Sequence, residues 1–135
     1  MKSISFTVTN DLSQDQRMNR ICSSLVDAGY RATLIGRNRR KSESLLAKPF
    51  IQKRISCFFE KGKLFYLEYN LRIFCVLLFS KHDAYCAIDL DSILPNYLVS
   101  KIRKKPLIYD AHEYFTELEE VVSRPFTKKV WKTLE

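Results

Sequence analysis

Short apolar runs alternate with longer segments of helical periodicity along this chain, and the alternation restricts the folds open to it. Residues 4 to 10 read as a strand, and residues 18 to 26 repeat apolar side chains at helical spacing until Gly29 ends the pattern. A second strand-like run covers residues 32 to 36. A strand, a helix and a further strand in this order predict two parallel strands with the helix packed across them.

The rest of the chain continues this alternation. The later strands are predicted over residues 55 to 59, 85 to 88 and 107 to 109, with a short extended segment over 64 to 67. The later helices are predicted over residues 69 to 81, from residue 92 to the basic run at 101 to 105, and over 126 to 134. Together these elements predict a Rossmann-like three-layer α/β sandwich with a mostly parallel sheet, in one domain over residues 1 to 135.

The helical spacing also predicts which side chains are buried. The helix over residues 69 to 81 is expected to bury Leu71, Phe74, Cys75, Leu78 and Phe79, although its other side is apolar as well. The helix that begins near Ser92 is expected to bury Leu94, Tyr97, Leu98 and Ile102. We expect most of the aromatic side chains in the middle of the chain to pack in the interior, with a few at an interface, rather than form a stacking surface for nucleic acid.

Composition narrows the class of protein. An apolar fraction of 46% with only three glycines indicates a folded chain, and the net charge of +8 favours anionic partners such as lipid headgroups, nucleic acid or phosphorylated sugars. Part of this charge is a basic run near residues 37 to 41, for which a solvated surface is the favoured interpretation and phosphate binding the alternative.

The cysteines and the apolar runs bear on the compartment. Four cysteines occur singly within apolar runs, without the spacing of a zinc site, so we expect buried, reduced thiols: Cys22, Cys57, Cys75 and Cys86. The N-terminus lacks the apolar core of a secretory signal, and residues 73 to 79 are far shorter than the roughly 20 residues that cross a bilayer. A cytoplasmic location is therefore expected.

Residues 106 to 117 contain the most informative local pattern, because a short apolar run leads directly into ionisable and aromatic side chains. Ligands of open α/β sheets bind beyond the carboxyl ends of the strands, and Asp110, His112 and Glu113 follow such a strand. The alternative interpretation is that His112 is a hydrogen-bonded structural residue and that Glu113 caps the following turn.

Four segments, residues 10 to 22, 87 to 98, 109 to 117 and 124 to 131, together resemble the N-terminal domain of bacterial family 4 glycosyltransferases, which have the GT-B fold. The resemblance covers nearly the whole chain. It implies the acceptor-side lobe of a retaining, nucleotide-sugar-dependent enzyme, without the C-terminal lobe that holds the donor nucleotide. We therefore expect the isolated chain to be inactive in sugar transfer.

The resemblance also implies roles for particular residues. A histidine after the strand at 107 to 109 touches the transferred sugar in the family, and His112 matches it as the candidate catalytic residue. Glu113 and Asp110 would then lie in the acceptor cleft. Arg17 and Asp15, at the start of the first helix, are candidates for substrate binding, although an acid at Asp15 also suits a helix start.

Two aspartates follow the strand at 85 to 88, and such a pair can form a metal site. Asp89 and Asp91 have the spacing of a magnesium or manganese pair, but the following residues read as a capped helix, and capping is the favoured interpretation. We expect no metal and no cofactor, the nucleotide sugar being a substrate of the complete enzyme.

The expected partners follow from charge and from the resemblance. They are the missing C-terminal lobe, a sugar or lipid-linked acceptor, and an anionic membrane surface such as the inner membrane. We do not expect nucleic acid to be a partner. The competing interpretation is a stand-alone, non-catalytic binding module that docks on a protein partner, an anionic membrane or, least favoured, nucleic acid.

Overall fold

The computed structural model of the protein describes residues 2–39, 42–88 and 90–110. Short 3-10 turns at Leu12–Gln14 and Leu90–Ser92 precede two of the helices. The strands are β1 (Ser3–Asp11), β2 (Arg31–Asn38), β3 (Ile51–Ser56), β4 (Ala84–Ile88) and β5 (Leu107–Asp110). The helices are α1 (Gln16–Asp27), α2 (Gly62–Phe79) and α3 (Ile93–Arg103).

The five strands form one sheet in the order β3-β2-β1-β4-β5, and every neighbouring pair is parallel. The chain runs outward from β1 in one direction through β2 and β3, then returns to the other side of β1 through β4 and β5. This order confirms the predicted Rossmann-like α/β fold, and the direction of winding reverses between β1 and β4.

Helices cover both faces of the sheet. On one face, α1 contributes Met18 and Cys22 to a core with Phe6, Leu34 and Cys86. On the other face, α2 and α3 pack over Ile35 and Tyr85, with buried side chains from both helices: Phe65, Tyr69, Ile73, Leu77 and Val99. The connection between β2 and β3 contributes Leu45 and Phe50 to the α1 layer. The result is a helix–sheet–helix sandwich.

The prediction for β3 and the segment after it is wrong. The strand lies at Ile51–Ser56, where it pairs with β2 from Thr33 onward, and residues 64 to 67 belong to α2 rather than to an extended segment. β3 is an edge strand, and its Gln52, Lys53 and Arg54 hide the apolar signal of a strand while discouraging edge-to-edge pairing. Gly62 has a φ of 77°, which an L-residue rarely adopts, at the point where α2 begins.

The predicted core face of α2 is also wrong in part. Leu71, Cys75 and Phe79 are exposed, whereas Phe74 and Leu78 are partly buried. The buried stripe consists of Phe65, Tyr69, Ile73 and Leu77. Because this helix is apolar on every side, periodicity could not select the face that meets the sheet.

The predicted core face of α3 is wrong for a different reason. Leu94, Tyr97, Leu98 and Ile102 are exposed, and the buried positions are Pro95, Asn96, Val99 and Ser100. Polar side chains therefore occupy part of the inward face of the helix. With the exposed residues of α2, the outward side chains of α3 form an apolar surface, termed here the α2–α3 face: Leu64, Leu67, Leu71, Phe79, Leu94, Tyr97, Leu98 and Ile102.

The cysteines are free, but they are not uniformly buried as expected. Cys22 and Cys86 are buried, and burial raises the pKa of both thiols to about 12. Cys57 is partly buried and Cys75 is exposed. Cys75 is exposed because α2 turns that side away from the sheet. In the described part of the chain, no helix combines the length and the apolar character needed to cross a bilayer.

Gly36 is required by the close approach of β2 to the turn after β1. A Cβ atom at this position would lie 2.3 Å from Leu12 Cδ2 and 3.0 Å from the main-chain oxygen of Asn10. We expect Gly36→Ala to lower the free energy of unfolding by about 1–3 kcal/mol, since added atoms in a packed core force neighbours to move. Urea denaturation measures this loss.

The double variant with Leu12→Ala and Gly36→Ala tests whether steric overlap causes this loss of stability. Leu12→Ala alone leaves a cavity, but with Gly36→Ala it makes room for the new methyl group. The loss of stability in the double variant should therefore be smaller than the sum of the two single losses. Additive losses would contradict the steric explanation.

Candidate functional site

Polar side chains gather at the carboxyl edge of the sheet, where the winding reverses between β1 and β4. This is the position at which open α/β sheets bind ligands. The end of β1 contributes Asn10, the start of α1 contributes Asp15 and Arg17, the turn after β4 contributes Asp91, and β5 ends at Asp110. Residues from three separate parts of the chain therefore meet at one edge.

Arg17 and Asp110 form an ion pair across this edge. The Arg17 Nη2 atom donates a hydrogen bond of 2.7 Å to Asp110 Oδ2, and the two side chains are 38% and 34% exposed. The pair joins the first turn of α1 to the last residue of β5, 93 positions later in the sequence. It holds the end of β5 against the start of α1.

Asp15 has a structural position at the start of α1. Its Oδ1 atom accepts a hydrogen bond of 3.1 Å from the Met18 main-chain N–H, and its Oδ2 atom accepts one of 3.2 Å from Asn10 Nδ2. The first bond is the usual N-cap interaction. Both carboxylate oxygens are thus engaged within the turn, and a role of Asp15 in binding substrate stays a prediction.

Asp91 accepts a hydrogen bond of 2.5 Å from Thr9 Oγ1 and so ties the turn after β4 to the end of β1. Either Ser92 or Asp91 was expected to cap α3; Ser92 is the N-cap residue of this helix, but its side chain makes no capping bond. Its buried hydroxyl instead donates toward the main-chain oxygens of Thr7 and Ile88.

The metal prediction stays untested, because Asp89 lies outside the described residues. Within residues 2–39, 42–88 and 90–110, no three His, Cys, Asp or Glu side chains come together as the ligands of a metal ion would. His112 and Glu113 also lie outside the described residues, as does the helix predicted over residues 126 to 134. Their roles stay predictions.

Asp11 is a polar centre of the edge that the sequence did not single out. Its carboxylate accepts hydrogen bonds from the Ser13 N–H and hydroxyl, from the Ser42 hydroxyl and from Arg54 Nη2. Burial raises the pKa of Asp11, but these hydrogen bonds and the Arg54 charge outweigh it and hold the pKa below its ordinary value. Asp11 thereby joins the turn after β1 to the loop after β2 and to β3.

The turn after β1 is filled by an apolar side chain. Leu12 is buried in the α1 core and packs directly over Gly36. In dinucleotide-binding Rossmann folds, glycines in this turn let a pyrophosphate approach the main chain. Leu12 occupies that space here, in agreement with the sequence, which has no glycine between Asn10 and Arg17.

An open groove of about 640 Å³ lies beside α1 and reaches the ion pair at one end. Arg20 and Asp110 are among its polar residues. Most of its wall is apolar and comes from Ile4, Phe6, Ile21, Leu25, Cys86 and Ile108. The groove could hold the apolar part of a ligand whose polar end reaches the carboxyl edge.

Comparisons with known proteins support the fold assignment. No protein-family model matches the sequence, and a search of curated proteins finds no match. The fold is similar to that of the UDP-GlcNAc 2-epimerase from Methanocaldococcus jannaschii, with a TM-score of 0.57 and 14% sequence identity. The match covers 100% of this chain and 38% of the epimerase chain. At this identity the similarity establishes a Rossmann-like fold and nothing about activity.

The Arg17–Asp110 ion pair should give a measurable coupling free energy between the two side chains. In a double-mutant cycle with Arg17→Gln and Asp110→Asn, we expect a coupling of about 0.5–1 kcal/mol in the free energy of unfolding, because both side chains are partly exposed. The coupling should decrease at high salt.

A second ion pair in the same fold serves as the control. Lys105 and Asp83 approach only to 4.0 Å, and both side chains are more exposed. The cycle with Lys105→Gln and Asp83→Asn should give no coupling beyond experimental error. Equal coupling in the two cycles would mean that the contact at the carboxyl edge has no special role in holding β5 against α1.

Proposed function

We propose that this chain is the acceptor-side domain of a retaining, nucleotide-sugar-dependent glycosyltransferase, and that transfer requires a C-terminal lobe. The observation that carries the proposal is the Arg17–Asp110 ion pair, which holds the start of α1 and the end of β5 at one point of the carboxyl edge. His112, the candidate catalytic residue, follows Asp110 by two positions in the sequence.

Two further observations support the proposal. The similar structure is an enzyme named for a nucleotide sugar, UDP-GlcNAc, and this chain corresponds to 38% of it. A share of that size is what one lobe of a two-lobed enzyme would have. The apolar groove next to the ion pair offers space for an acceptor that has an apolar part, such as a lipid-linked sugar.

In the proposed mechanism, the residues of this chain bind and polarise rather than attack. Asp110 holds the Arg17 guanidinium in place, and Arg17 attracts a negatively charged group of the substrate. His112 donates a hydrogen bond to the transferred sugar as the sugar–phosphate bond breaks, which stabilises the developing charge. Glu113 and Asp15 contact the acceptor. The reaction needs no metal and no cofactor in this domain, and it takes place in the cytoplasm.

The test is the substitution His112→Ala in a polypeptide that joins residues 1 to 135 to the C-terminal lobe. Loss of one polarising hydrogen bond should lower kcat by roughly 10²-fold while the donor KM changes only a few-fold. The isolated chain, with or without the substitution, should transfer no sugar.

The chain provides a matched control in its only other histidine. His82 precedes β4 at the opposite edge of the sheet, where its ring lies 5.8 Å from that of Tyr85. His82→Ala should therefore leave kcat within a few-fold of the parent enzyme. Unchanged turnover in the His112 variant would refute the proposed role.

A second candidate function is a stand-alone, non-catalytic binding module, and the α2–α3 face favours it. Eight large apolar side chains are exposed there, with Leu71 at 58% and Phe79 at 85%. The basic end of α3, with Lys101 and Lys104, is also exposed. Apolar side chains beside cations suit an anionic membrane surface better than a protein partner, and nucleic acid is the least favoured.

Vesicle binding tests this second candidate. We expect the chain to bind phosphatidylglycerol-containing vesicles in a salt-dependent manner and to bind duplex DNA far more weakly at the same ionic strength. Leu71→Gln combined with Leu98→Gln should weaken vesicle binding. Leu46→Gln, at an exposed position in the loop before β3, is the control and should have no effect. Equal binding to vesicles and DNA would indicate charge without specificity.

A further inference from the structure

A polar cavity, separate from the apolar groove and the ion pair already described, lies at the carboxyl end of β2. It has a volume of about 340 Å³ and is lined by three cationic residues, Arg37, Arg39 and Lys61. The remaining wall comes from Glu60, Gly62, Phe65 and Tyr66. The sequence favours a solvated surface for the basic run that begins at Arg37, and phosphate binding is the alternative.

Arg37 is not a solvated surface residue. It is only 8% exposed, and its guanidinium carbon lies 3.8 Å from the centre of the Phe65 ring. Its Nη2 atom donates a hydrogen bond to the main-chain oxygen of Glu60. That acceptor is neutral, so the hydrogen bond orients the guanidinium without cancelling its charge. A cation is costly to bury unless an anion compensates it.

The surroundings of Arg37 make the cavity electropositive. Arg39 lines the same cavity, and burial together with the Arg39 charge lowers the pKa of Arg37, whereas Glu60 opposes this shift. Lys61 adds a further cation. It is the residue before α2, and its side chain does not cap the helix, whose first turn holds no acidic residue. The cavity thus brings three cations and the positive end of an 18-residue helix together with a single lining carboxylate, that of Glu60.

We propose that this cavity binds a phosphoryl group, as a phosphomonoester or as the phosphate of a lipid headgroup. The stacked guanidinium of Arg37 presents a planar set of donors, which suits two oxygens of a phosphate. Arg39 and Lys61 neutralise its second charge. The cavity volume is at the lower end of the range for small-molecule sites, which fits a small phosphorylated group. The site does not depend on the proposed sugar transfer.

Titration with inorganic phosphate, followed by NMR of main-chain amides, tests the proposal. The amides of Gly62 and Lys63 should shift in a saturable manner, while the amide of Gly29 at the end of α1 should not. Sodium chloride at the same ionic strength should leave all three unchanged. Glycerol 3-phosphate and vesicles containing phosphatidic acid, used in parallel, distinguish a soluble phosphomonoester from a lipid headgroup.

Substitutions locate the binding. Arg39→Gln and Lys61→Gln change cations at the rim and should each weaken phosphate binding about tenfold, the loss of one charge-assisted contact. Arg31→Gln, which changes an exposed cation at the opposite end of β2 from Arg37, should leave binding unchanged. Arg37→Lys retains the charge but loses the planar donors, and should weaken binding if the variant folds.

Each result of these titrations either supports or overturns the proposed phosphate site. Phosphate or glycerol phosphate binding that the two rim substitutions weaken supports the proposal with a soluble ligand. Binding to phosphatidic acid vesicles that the same substitutions weaken supports it with a lipid source. Absence of a saturable shift at Gly62 and Lys63, or binding that Arg31→Gln weakens as much as Arg39→Gln does, overturns it.

Discussion

The arrangement of the whole structure depends on a buried hydrogen-bond network between β1 and the start of α3. Asn96 Nδ2 donates to Thr7 Oγ1 at 2.6 Å and to the Ser92 main-chain oxygen at 2.8 Å, and the Ser92 hydroxyl contacts Thr7 as well. All three residues are fully buried. Because unpaired polar groups are costly in a low-dielectric interior, these hydrogen bonds favour the observed rotation of α3 about its own axis.

That rotation has consequences on both sides of the helix. On the inner side, it holds the turn after β4 against the central strand, so that Asp91 can contact Thr9 at the carboxyl edge. On the outer side, it turns Leu94 and Tyr97 away from the sheet and, together with α2, creates the α2–α3 face. The same few hydrogen bonds thus shape both the candidate site and the α2–α3 face.

The sequence predicted the fold well because parallel strands buried on both faces read as apolar runs. It failed where other forces decided the outcome. The polar residues of β3 obscured a strand because they lie at an edge, and the buried Asn96 reversed the expected face of α3. Arg17 and Asp110 were each chosen from local pattern, but their contact spans 93 positions and no local pattern predicts it. Asp11 was missed for the same reason.

The charges of the carboxyl edge divide into two kinds. Arg17 is paired with Asp110, and Arg54 is paired with Asp11, so each of these cations has an acidic partner within the fold. Around Arg37 the balance differs, since cations outnumber the acid that shares their cavity. A net charge of +8 could be spread evenly over a surface for solubility alone. Here part of it is concentrated in a cavity where one guanidinium is nearly buried, and such a concentration raises the affinity for an anion at that point of the edge.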